Sequence, residues 1–178
     1  TESNNLALKG VADASRDRGN HVVTVQTEHR AVLDPCARLE QQGAEVSYLP
    51  VRSDGLLDPL ELAAVITSKT VLVTVMMANN EIGVLQPVAD LANVAQLRGV
   101  PFHTDAAQAA GKVPINVSAD GIDLLSLTAH KLYGPKGVGA LFVRRGSRVT
   151  PIMDGGGHES GLRSGTLNVP AIVGFGRA

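Results

Sequence analysis

Residues 122–143 read IDLLSLTAHKLYGPKGVGALFV. The apolar run IDLLSLTA (122–129) ends in His130 and Lys131, breaks at Gly134, Pro135 and Gly137, and resumes as VGALFV (138–143). Only about ten residues join the two runs, too few for the helical crossover that parallel strands require. The second run is therefore predicted to lie antiparallel beside the first. Lys131 then stands at the end of a strand. There it is either a solvated loop charge or a nucleophile held against a buried wall.

Working outward, the chain alternates strand-like and helix-like segments. HVVTVQ (21–26), EVSYLP (45–50), TVLVTVMM (70–77) and VPFHTDA (100–106) join the two runs above as predicted strands. Several are almost wholly apolar, the pattern of strands covered on both faces. Between them lie helical segments. In PVADLANVAQLRG (87–99), Val88, Leu91, Ala92 and Ala95 recur at helical spacing, Pro87 suits the first helical position and Gly99 the stop. In DPLELAAVI (58–66), Asp58 caps, Pro59 starts the turn and Glu61 completes a capping-box pattern. In AVLDPCARLEQQG (31–43), Val32, Cys36 and Leu39 share a face and Gly43 ends the helix, while Pro35 leaves its start open. This alternation implies a mostly parallel α/β sheet with one antiparallel strand and helices on both faces.

Composition narrows the function classes. The 178 residues suit one domain with a real core. A net charge of −1 gives no electrostatic case for direct nucleic-acid binding or an anionic membrane surface. No apolar run approaches the ~20 residues of a membrane span. One cysteine, Cys36, excludes an internal disulfide framework and suits a reducing, cytoplasmic location. There is no signal-peptide pattern, and a start at Thr1 leads us to expect a missing N-terminal portion. His103, His130 and His158 show no compact ligand spacing with Cys36, so no metal is expected. The glycines of GPKGVG match neither GxxxxGK[ST] nor GxGxxG and read as turn formers.

In open α/β sheets the ligand site lies at the carboxyl ends of the strands. Polar residues follow four predicted strands there: His29, then Asn79, Asn80 and Glu81, then Asp105 and Gln108, then His130 and Lys131. Singly, each has a plain structural reading as a helix cap, a loop tie or a solvated charge. Their convergence at one sheet end favours a site.

Five segments carry a resemblance: EHRAVLDPCARLE (28–40), MMANNEIGVLQP (76–87), FHTDAAQAAGK (102–112), SLTAHKLYGPKGVGALFVRRG (126–146) and GGGHESGLRSGTLNVP (155–170). Together and in this order, across Thr1 to Ala178, the chain resembles the cysteine desulfurases. These are pyridoxal 5'-phosphate (PLP) enzymes built on the large domain of the aspartate-aminotransferase fold. The resemblance implies conversion of L-cysteine to L-alanine with the sulfur left as an enzyme persulfide, for iron–sulfur clusters or tRNA thiolation. It implies Lys131 as the amine that forms a Schiff base with PLP. A lysine buried there should have a lowered pKa and free amine available. It implies Asp105 beside the pyridine nitrogen, His29 stacked on the ring and assisting proton transfer, and Gln108 and Asn80 near the phenolic oxygen. Thr1, Thr128 and His130 match phosphate-binding residues, with a helix N-terminus offering further N–H donors. Thr166 matches a residue that reaches the phosphate of a neighbouring subunit, which implies a homodimer.

The same resemblance places a strand before Thr1, and it places the sulfur-carrying cysteine and the substrate-carboxylate arginine downstream of residue 170. Residues 1–178 are therefore expected to form a single PLP-binding large-domain fragment, without that strand or the small domain, and to be incomplete for turnover. The missing strand is expected to leave an open sheet edge beside 138–143. Cys36, on an apolar helical face, is expected to pack and not to react. A sulfur-acceptor or scaffold protein is an implied partner. The alternatives are a selenocysteine lyase or another aminotransferase-like enzyme, and a non-catalytic remnant that binds PLP or only dimerises.

Overall fold

The computed structural model describes residues 1–178 throughout. Eleven elements follow in order: α1 (Glu2–Ala14), β1 (His21–Val25), α2 (Arg30–Gln41), β2 (Glu45–Leu49), α3 (Pro59–Val65), β3 (Thr70–Thr74), α4 (Val88–Leu97), β4 (Phe102–Asp105), β5 (Leu124–Thr128), β6 (Gly139–Val143) and α5 (Val169–Arg177). The strands form one sheet in the order β2-β1-β3-β4-β5-β6. All neighbours are parallel except β5 and β6, which pair antiparallel from Leu124↔Val143 to Thr128↔Gly139. The short connection read from residues 129–137 thus makes the expected hairpin. A side chain at Gly139 would meet the Leu127 carbonyl oxygen at 2.5 Å, so only glycine lets β6 begin there. β6 forms one edge of the sheet.

Strand alternation sends successive residues to opposite faces. Val23, Val25, Val73, Val75, Phe102 and Leu125 pack with Leu62 of α3 and Leu91, Ala92 and Ala95 of α4. Val22, Leu72 and Leu124 pack on the other face with Ala7, Leu8 and Val11 of α1 and Val32, Cys36 and Leu39 of α2. Cys36 is fully buried, and burial with the nearby Glu28 and Glu40 pushes its thiol up to about 12. Its packing role is the one read from the helical face.

The helix ends refine the expectations. α2 runs straight through Pro35, because burying Ala31, Val32, Cys36 and Leu39 outweighs one lost backbone hydrogen bond. α2 ends ahead of Gly43, which takes a φ of 94° while its N–H bonds back to Glu40. Pro87 stands just outside α4 as its cap, not at the first helical position. Asp58 caps α3 by accepting from the Leu60 N–H at 2.8 Å, one position earlier than a capping box would direct it. β3 and β4 are shorter than their apolar runs, stopping at Thr74 and Asp105. The chain leaves the sheet there to build the site.

Candidate active site

The chain leaves β1 towards β2 and then crosses to β3 on the other side, so the sheet has a topological switch between β1 and β3. A cavity of about 210 Å³ lies at the carboxyl ends of β3, β4 and β5, against the N-terminus of α1 and the start of α2. Of the residues expected at a site, Thr1, His29, Asn80, Asp105, Gln108, Thr128, His130 and Lys131 all line it. Thr166 does not: it is exposed, just before α5 and outside this cavity. Its role towards a neighbouring subunit is one this wall leaves untouched.

Asp105 forms the floor. It is 7% exposed at the end of β4, where Asn4 of α1 donates to one carboxylate oxygen at 2.7 Å and the Ala107 N–H to the other at 2.9 Å. No lysine or arginine pairs with it. A buried carboxylate in low-dielectric surroundings calls for a positive partner, and the space that would hold one is the cavity. Asn4 adds an orphan acceptor nearby, since its side-chain oxygen is buried without a partner.

Lys131 ends a 3-10 turn (Ala129–Lys131) that follows β5 directly. It is half-buried, a correction to the expectation of a buried amine. The backbone turns sharply just beyond it: Tyr133 takes a φ of 61°, and the Gly134 N–H bonds back to Ala129. That turn ends the strand and leaves Lys131 lining the cavity. Thr128 and His130 are joined by a 2.8 Å bond between Oγ1 and Nδ1. His29 caps α2, its Nδ1 accepting from the Ala31 N–H at 3.0 Å. The neutral ring therefore carries its proton on Nε2. The Gln108 carbonyl oxygen is held by Lys112 Nζ at 3.0 Å, which leaves the amide nitrogen as the free end.

Several residues of the site and its support were not assigned a part in it from the sequence. Ser3 and Asn4 belong to the wall because α1 starts there, in a segment whose helical period had not been read. Glu28 is 6% exposed behind the wall, accepting from the Met76 N–H. Its carboxyl is raised well above the usual range by burial and by Asp105. His103 is fully buried between Thr74 Oγ1 at 2.7 Å and Ser126 Oγ at 3.0 Å. Burial pushes it down to about 4, against the opposing pull of Asp105. Alternation within FHTD held a signal for this pair, since His103 and Asp105 are two residues apart and share a face.

The residues fit a small aromatic aldehyde phosphate such as PLP. An amine, a carboxylate without a cation, hydroxyl and imidazole donors and a helix N-terminus surround one space. No group of three or more His, Cys, Asp or Glu side chains is disposed to hold a metal ion.

The pattern of the aminotransferase class-V family matches residues 1–178. The chain is 57% identical to the cysteine desulfurase IscS of Anaeromyxobacter sp. (strain Fw109-5), over all of this chain and 45% of that protein. It is also 57% identical to the mitochondrial cysteine desulfurase of Drosophila melanogaster, covering 39% of it. A solved structure described as SspA in complex with cysteine superposes with a TM-score of 0.95 at 46% identity, over 99% of this chain and 51% of that one. The chain thus spans less than half the length of the curated relatives it matches.

Proposed function

Because the chain belongs to the class-V aminotransferase family, we propose that residues 1–178 are the cofactor-binding large domain of a PLP-dependent cysteine desulfurase. The parent activity is L-cysteine to L-alanine, with the sulfur passed to a protein thiol as a persulfide. The supporting observation is Asp105, a buried carboxylate with no lysine or arginine paired to it, on the wall of a cavity shared with Lys131.

When bound, PLP supplies an electron-withdrawing ring that takes up the electron pair released at the substrate α-carbon. The residues divide the remaining work. Asp105 holds a proton on the ring nitrogen, and Asn4 and the Ala107 N–H keep its carboxylate aimed. Lys131 Nζ would be the point of covalent attachment and a base for the α-proton. His29 orients the ring, with Nε2 left to carry a proton because Nδ1 is committed to Ala31. Thr1, Thr128, His130 and the first turn of α1 hold the phosphate. Asn80 and the amide nitrogen of Gln108 would donate to the phenolic oxygen.

Cys36 is not the sulfur carrier, because a buried thiol at about 12 has almost no thiolate at neutral pH. The carrier is a cysteine of the longer parent, and a sulfur-acceptor or scaffold protein receives the persulfide for iron–sulfur clusters or tRNA thiolation. The parent acts as a cytoplasmic homodimer in which Thr166 reaches the partner's phosphate. In support, α5 exposes Val169, Ile172 and Val173 just beyond Thr166.

The test is the absorption spectrum of the protein with added PLP, native against Lys131→Ala. The expected outcome is a visible band in the native protein that the variant lacks. A band of equal intensity in Lys131→Ala, or none in either protein, overturns the reading.

A further inference from the structure

Glu28 is a buried carboxyl that none of the roles above uses. It lies in the short turn after β1, just before His29, the α2 cap and wall residue. One of its oxygens accepts from the Met76 N–H just past β3; the other is buried without any partner. That single bond joins two segments of the wall, since His29 and Met76 both line the cavity. The titratable groups that face Glu28 are Asp105 from β4 and Cys36 from α2, with neutral His103 one pleat back from Asp105. No lysine or arginine pairs with it.

A charge in this position would be doubly costly. It would lack a counter-ion in a low-dielectric interior, and it would lie beside the Asp105 carboxylate. It would also add negative potential to a cavity that must admit a phosphate. A neutral carboxyl keeps the bond to Met76 and avoids both costs. An uncharged O–H without a partner is a far smaller penalty than an unpaired anion.

We propose that Glu28 is a positioning residue that keeps its proton in the folded protein: as a neutral carboxyl it ties the β1–α2 turn to the end of β3, and leaves Asp105 the single carboxylate charge facing the bound cofactor. The part of this inference that concerns the cofactor rests on the reading of the site given above.

Native protein and Glu28→Gln, a neutral near-isostere that keeps the acceptor oxygen, separate the two parts. Without cofactor, the infrared difference spectrum at pH 7 should show a protonated carboxyl C=O band in the native protein that the variant lacks. Only carboxylate bands in the difference would overturn the neutral carboxyl. Melting temperatures give a second reading. Unfolded Glu28 ionises above its ordinary value of 4.5 while the folded group keeps its proton, so native stability falls relative to Glu28→Gln as pH rises. The Tm difference should move in favour of Glu28→Gln from pH 4.5 to 7.5. A flat or reversed difference overturns the proposal.

With PLP added, Glu28→Gln should keep the native pH midpoint of the visible band. A shift of about one pH unit would mean that a charge had been removed beside Asp105. Glu28→Ala, which breaks the tie, should weaken PLP binding about tenfold, and Glu28→Gln should restore it. Native-like binding by Glu28→Ala overturns the positioning role. If the native protein itself forms no visible band, the cofactor reading fails, while the infrared and melting results still decide the state of Glu28.

Discussion

Beneath α3 and α4 the sheet presents Val23, Val73, Phe102 and Leu125. The next residue along each of the same four strands is Thr24, Thr74, His103 or Ser126, on the opposite face beneath α1 and α2. Both sets are closed from water: none of the eight is more than 4% exposed. One face gains stability from area and shape. The other carries a polar seam across β1, β3, β4 and β5, and that seam runs up to Asp105, Asn4 and Glu28 at the cavity. A hydrocarbon face tolerates exchange of volume for volume, whereas the pairs made within the seam, Thr74 to His103 and His103 to Ser126, are costly to break, even though Thr24, Asn4 and Glu28 each keep one buried oxygen without a partner. The comparison teaches where the site is supported: its floor is the same seam continued to the strand ends.

The largest effect should come from the apolar side. Phe102→Ala should cost about 3–5 kcal/mol in denaturant unfolding, yet PLP should still bind wherever the variant remains folded. Loss of the visible band in folded Phe102→Ala would show that the two faces are not separable.

Acid should act on the polar side. His103 titrates at about 4 when folded and near 6.5 when unfolded, so the unfolded chain binds the extra proton in between. Native stability should therefore fall as pH drops from 6.5 towards 4, by on the order of 3 kcal/mol for this group. His103→Gln should flatten Tm against pH in that window, and an unchanged slope would place the acid sensitivity elsewhere.

Two threonines sharpen the contrast further. Thr74→Val removes the hydroxyl paired with His103 and should cost about 1–3 kcal/mol, because Nδ1 is left buried and alone. Thr104 lies on the face of Phe102, and its hydroxyl has no partner. Thr104→Val, the same chemical change, should be neutral or stabilising by up to about 1 kcal/mol. Equal losses in the two variants would mean that the seam is not what distinguishes the faces.

Much of this was legible before any coordinates. The apolar runs located all six strands, and the short link at 129–137 marked β6 as the antiparallel one. Eight of the nine residues carried over by resemblance line one cavity: Thr1 stands at the start of α1, and the other seven lie at or shortly after a strand end in sequence. α1 and α5 were not assigned. α1 is interrupted by Asn4, Asn5 and Gly10, and its helical period is weak until the sheet beneath it gives Leu6, Ala7, Leu8 and Val11 something to cover.

Local pattern decides what a short window can decide: strand or helix, parallel or antiparallel, and which polar residues sit at a strand end. By itself the sequence therefore determined the layered α/β architecture, the lysine at the end of β5 and the inert setting of Cys36. It could not pair residues far apart along the chain. The bond from Asn4 to Asp105 spans 101 positions, and that from Glu28 to Met76 spans 48. Only the folded sheet brings such groups together in a medium of low dielectric, where burial above all, and a neighbour's charge after it, sets which form each group keeps. The charge states of Glu28 and His103 and the aim of Asp105 belong to the tertiary structure for that reason.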